Sequence, residues 1–98
     1  VTSPNFILSS DRRLKSNITI VHNALDKLAT LSGYEYTMKN SPTREYGVMA
    51  DEVEKVLPNA VLTDDAGFLS VAYDRLIPLL VNAINELRAE VRELKNGN

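Results

Sequence analysis

The clearest pattern in the chain is a run of apolar residues at Tyr73, Ile77, Leu80, Ile84, Leu87, Val91 and Leu94, separated by 4, 3, 4, 3, 4 and 3 positions. That spacing puts the side chains along one line of a helix, so it predicts a helix over 74–96 with a heptad seam. Ile77, Ile84 and Val91 take the a positions, and Leu80, Leu87 and Leu94 take d. β-Branched a with leucine d favours two parallel strands. The first half of the seam is wider than a two-stranded stripe, because Leu76 and Ala83 fall at g and Val81 at e. A wider face suits three strands, or two strands with packing against the rest of the domain. Beyond it, Glu90 at g and Lys95 at e can pair between parallel chains, worth a few tenths of a kcal/mol when exposed. Pro78 sits early, where a proline forfeits little, and Gly97 is a stop signal. From Arg88 onward every face except the seam is polar, which favours self-association over a helix that closes a monomeric core.

The earlier part alternates between helical and extended patterns. Val21, Ala24, Leu25, Leu28 and Leu31 form a helical stripe, which predicts a helix over 21–32 with Thr19 as N-cap and Gly33 as the closing glycine. The segment YEYTM, residues 34–38, reads as a strand, and 46–50 as a second strand paired back on it across the Asn40-Ser41-Pro42-Thr43 turn. A short helix over 51–57 turns Val53, Val56 and Leu57 inward and stops at Pro58. Residues 59–62 and 68–72 flank Asp64-Asp65-Ala66-Gly67, a hairpin signal. Residues 1–9, with Phe6-Ile7-Leu8, read as an extended lead-in. The fold class is therefore α+β: a small irregular sheet with hairpins, helices, and a long final helix.

Ninety-eight residues suffice for one domain with a modest core, and the chain reads as a piece of something longer that oligomerisation would help. A net charge of −2 gives no global argument for nucleic acid or an anionic membrane as partner. Without cysteine there is no disulfide framework, thiolate metal site or thiol nucleophile. No apolar run approaches the roughly 18 residues of a membrane span. His22 stands alone without a ligand cluster, and Asp64-Asp65 lacks the alternating oxygen ligands of a calcium loop, so neither a metal nor a cofactor is expected. Asn17-Ile18-Thr19 fits a glycosylation acceptor without any sign of a secretory route. Tyr34 and Tyr36 share one face of the first strand, as core or interface residues.

One stretch carries possible chemistry: SSDRRLKSNI, residues 9–18. A serine becomes a nucleophile when a base takes its proton, and a lysine becomes such a base where burial or nearby cations favour its neutral form. Ser10 and Lys15 are five positions apart, with Arg12 and Arg13 between them. A spacing of this kind is common by chance, and a basic surface turn is the competing reading.

The resemblance of the chain to a known family bears on that choice. SSDRRLKSNI, then ALDKLATLSGYEYTMKN, YGVMADEVEKVLPNAV and GFLSVAYDRLIPLLVNAINELRAEVRELK resemble, in order and spacing, the intramolecular chaperone domain of phage endosialidases, tailspikes and tail fibres. The resemblance implies a homotrimer joined through Ile77, Leu80, Ile84, Leu87, Val91 and Leu94, and a role in assembling an upstream β-rich fibre. It also implies autoproteolysis, with Ser10 as nucleophile, Lys15 as general base and scission between Ser10 and Asp11; Ser9 is an alternative the motif does not favour. On that reading residues 1–10 end the upstream fibre and 11–98 are the chaperone domain. Assembly would take place in the host cytoplasm, the upstream product would enter the virion tail, and the chaperone would be released. Where this chain has Asp51, in GVMADEV, the family commonly has glutamine. A non-cleaving trimerisation module, and an adaptor presenting its helix to another partner, are the rival readings. Formation of the serine–lysine pair only after three chains dock would couple cutting to folding.

Overall fold

A computed structural model describes residues 9–97; the lead-in at 1–8 lies outside them. A single 3₁₀ turn, Arg12–Leu14, opens the described chain. Helix α1 (Ala24–Leu28), strands β1 (Tyr34–Thr37) and β2 (Arg44–Gly47), and helix α2 (Ala50–Val56) follow. A 3₁₀ turn at Pro58–Ala60 leads into strands β3 (Val61–Thr63) and β4 (Leu69–Val71), and another at Tyr73–Leu76 leads into helix α3 (Ile77–Asn96).

The α+β class and the long final helix are as expected, but the sheet is two separate antiparallel hairpins. In the first, Tyr34 faces Gly47 and Thr37 faces Arg44, so the second strand is set earlier than 46–50. Met49 is already extended backbone leading into α2. The second hairpin pairs Val61 with Val71 and Thr63 with Leu69. Its turn forms because the Asp64 carboxylate accepts the Ala66 and Phe68 N–H groups, both at 2.9 Å. Gly67 supplies the φ of +90° that the turn requires.

The stripe at 21, 24, 25, 28 and 31 does face inward, but the helix it predicted is much shorter than 21–32. Asn23 takes a left-handed conformation (φ +54°) and gives no side-chain cap, so regular helix starts only at Ala24 and Thr19 caps nothing. At the other end the Thr30 and Leu31 N–H groups bond three residues back, tightening the turn. Gly33 has no positive φ and closes no left-handed cap. α2 matches the expectation closely, with Val53 fully buried.

Among the described residues the core is two small clusters. Ala24, Leu79 and Ala83 form one, edged by Val21, Leu25, Leu28 and Leu31. Val53, Ala60 and Leu76 form the other, edged by Val48, Leu57, Val61 and Val71, with Leu31 touching both. Alanines at 24 and 83 let α1 and α3 approach closely. α3 and the 3₁₀ turn before it therefore serve the core through Leu76, Leu79 and Ala83, a stripe distinct from the heptad seam. Tyr73 starts the seam in the sequence pattern, yet it lies in the 3₁₀ turn and its hydroxyl accepts the Val48 N–H at 3.1 Å. Gly47 leaves room for it: a Cβ there would sit 2.5 Å from that hydroxyl.

Candidate active site

The chemistry-bearing segment is folded by its own aspartate. Asp11 caps the Arg12–Leu14 turn, its Oδ1 accepting the Arg13 N–H at 2.9 Å. The Arg13 guanidinium returns to the same carboxylate with both ends, Nε to Oδ1 at 3.1 Å and Nη2 to Oδ2 at 2.8 Å. Arg13 thereby holds the Asp11 carboxyl below its ordinary pKa, so Asp11 is an ionised anchor and a poor proton donor. Two backbone bonds, Leu14 N–H to the Asp11 carbonyl and Lys15 N–H to the Arg12 carbonyl, complete the reversal.

That reversal brings Lys15 back over Ser10. The Lys15 ammonium donates to Ser10 Oγ at 2.7 Å, while Ser9 lies exposed beside it. One tight turn is what makes a five-residue spacing productive, and the pair meets within a single chain. The bond's direction matters chemically. An ammonium that donates has no lone pair with which to take the serine proton, so base catalysis needs the amine neutral and the bond reversed. Residues 9–20 are all exposed. Of the two arginines expected to flank the lysine, Arg13 is committed to Asp11.

The other sequence candidates stay apart from this pair. His22 is exposed just ahead of α1, Asp51 is exposed in the first turn of α2, and Asp64 serves its own turn. Tyr34 donates its hydroxyl to Glu52 at 2.7 Å, an interaction that raises its pKa. Among the described residues no cluster of acidic or histidine side chains could hold a metal ion, and no helix is long and apolar enough to cross a membrane.

The six seam residues, Ile77, Leu80, Ile84, Leu87, Val91 and Leu94, are between 42% and 73% exposed in the single chain. Two polar residues that the sequence reading passed over lie on the other face of α3. The Glu86 carboxylate accepts the Ala24 and Leu25 N–H groups at 3.0 and 2.8 Å, capping α1 from 62 and 61 residues away. The Asn82 amide donates to the Val21 carbonyl at 3.1 Å. The two backbone donors, with His22 and Lys27 nearby, hold the Glu86 carboxyl below its ordinary pKa. Their signal was present: residues 79, 82, 83 and 86 share one helical face at i, i+3, i+4 and i+7.

A stretch folded around a serine–lysine contact, followed by hairpins and a long helix with an uncovered heptad seam, describes a recognisable class. The family described as the chaperone of endosialidase, named as a peptidase family, matches residues 10–62, and the chain belongs to it. Over 98% of its length the chain is 38% identical to the long tail fibre protein Gp37 of Enterobacteria phage K3, and equally to that of phage T2. It spans only 8% of the length of each of those proteins. With the Gp37 of Enterobacteria phage M1 it shares 36% identity over 90% of the chain and 39% of that protein.

Proposed function

We propose that this chain is a self-cleaving intramolecular chaperone, which trimerises, helps an attached upstream tail-fibre portion to fold, and is then released by Ser10–Lys15 autoproteolysis. Family membership carries the coarser part: a chaperone role and a serine-peptidase-type domain. The likeness to long tail fibre proteins supports a virion-associated upstream product. The observation that carries the finer part is the 2.7 Å contact between Lys15 Nζ and Ser10 Oγ.

Association is supported by how little one chain buries. Only six described residues are buried apolar, and only Leu79 and Val53 among them are large and fully covered. Covering each seam leucine or isoleucine contributes up to about 1.5–3 kcal/mol. Three tails joined this way hold three fibre chains at high local concentration, offsetting the loop-closure cost of pairing distant β-strands. Removing the tail afterwards leaves a product whose persistence is kinetic.

In cleavage, the neutral Lys15 amine takes the Ser10 hydroxyl proton as the oxygen attacks a carbonyl carbon, and returns it to the departing amine. The resulting ester is then hydrolysed by water. Attack of Ser10 Oγ on the preceding carbonyl closes a five-membered ring and splits Ser9 from Ser10; attack on its own carbonyl closes a strained four-membered one. Scission at Ser10–Asp11, which the family resemblance favours, therefore uses a serine from a neighbouring chain or an activated water.

A non-cleaving assembly module is the second reading, favoured by the solvent exposure of the pair and the lysine's role as donor. Intact-mass spectrometry of the chain joined to its upstream fibre decides between the two. Cleavage in the unmodified chain, absent in Ser10→Ala and Lys15→Ala, supports autoproteolysis, and the fragment mass identifies the bond. Equal masses in all three leave only the assembly module.

A further inference from the structure

We infer that Asn82 and Glu86 are positioning residues for self-cleavage, fixing the segment that carries Ser10 and Lys15 to the helix through which chains associate. The inference rests on the self-cleavage proposed above. Among the described residues, the hydrogen bonds made by residues 9–20 run within that segment, and all twelve of its residues are exposed. The first residue packed against a core cluster is Val21, half-buried against Ala24, Leu79 and Ala83. From there the chain bends at Asn23 in a left-handed conformation, so the direction of everything before it is set at 21–25.

Three hydrogen bonds from α3 grip that bend: Asn82 on the Val21 carbonyl, and Glu86 on the Ala24 and Leu25 N–H groups. α1 has only five residues and no side-chain cap of its own, so it relies on the distant carboxylate. Asn82 and Glu86 are one helical turn apart and interleave with Ile84 and Leu87 of the seam. Packing of the seam thus immobilises the same two turns that hold the bend. The pair meets within one chain, so what association governs is where the segment lies relative to neighbouring chains. Glu86 and Asn82 are the physical link that transmits this.

The test uses the chain joined to its upstream fibre, comparing unmodified protein with Glu86→Ala, Glu86→Gln, Asn82→Ala and Lys15→Ala. Cleavage is followed by intact mass, oligomeric state by sedimentation, and the Ala24 and Leu25 amides by hydrogen exchange. Glu86→Ala is expected to slow cleavage about ten-fold or more, since small misplacements of reacting groups are costly, with the oligomer retained and exchange at Leu25 accelerated. Glu86→Gln keeps an acceptor and should recover cleavage to within about three-fold of the unmodified chain. If both Glu86 variants lose the oligomer, Asn82→Ala decides: slower cleavage in an intact oligomer supports the inference, and an unchanged rate overturns it. Glu86→Ala cleaving at the unmodified rate also overturns it. Lack of cleavage in the unmodified protein, or full cleavage in Lys15→Ala, overturns the proposed function and this inference together, and is recognisable because it appears in those two proteins.

Discussion

α3 turns two apolar faces in directions about a quarter of a turn apart. The face with Leu76, Leu79 and Ala83 is buried, and its polar members Asn82 and Glu86 are bonded to α1 and its approach. The face with Ile77, Leu80, Ile84, Leu87, Val91 and Leu94 repeats leucine with β-branched residues and is exposed in one chain. Two leucines, an alanine and specific polar bonds serve the fold, while the residues in strict repeat stay exposed. Folding and the association proposed above thus draw on different residues of one helix, and each can be disturbed separately.

The largest disturbance is to the seam. Truncation at a packed leucine or isoleucine costs about 2–5 kcal/mol, so Ile84→Asp with Leu87→Asp should yield monomer alone in sedimentation and abolish cleavage. A trimer persisting in that variant would break the distinction between the faces. Next comes Leu79→Ala on the buried face, expected to destabilise the fold by about 3 kcal/mol in urea at fixed protein concentration. It should leave the seam able to associate; dissociation matching that of the seam variant would show the two faces to be one.

The third disturbance is acid. Glu86 is held below its ordinary value of 4.5, so the stabilisation it gives is full above that value and is lost as pH falls through the lowered one. Melting temperature should therefore drop on acidification more steeply in the unmodified chain than in Glu86→Gln, and equal slopes would remove Glu86 from the account. The smallest effect lies at the edge of the seam. Glu90→Gln with Lys95→Gln should weaken the trimer by only a few tenths of a kcal/mol, and the difference should fade as salt is raised in sedimentation.

What could be read from the sequence was what is encoded locally. The second hairpin follows from an aspartate and a glycine at fixed places in one turn, α2 from a short stripe stopped by Pro58, and α3 from a repeat of apolar residues. The stripe at 21–31 gave the correct inward face but the wrong length, because Asn23 breaks the backbone and the compensating cap is Glu86, far along the chain. Leu79 was hidden for a related reason: a heptad reading follows one stripe and passes over a second on the same helix. At the candidate site the Ser10–Lys15 spacing is legible in the sequence, and the role of Asp11 in folding the turn between them emerges in the structure. An aspartate with its first N–H partner two residues on is a common turn-starter, and that signal was available.

The buried face of α3 ends at Glu86, whereas the seam continues to Leu94. The last ten residues of α3, about 15 Å of helix, carry exposed seam positions beyond that face, so the length of the seam is set separately from the packing beneath it. Adding or removing a heptad there would change the exposed seam by about 10 Å and leave the buried residues of the fold where they are. The strength of any pairing along the seam and the stability of the domain beneath it are therefore separate settings.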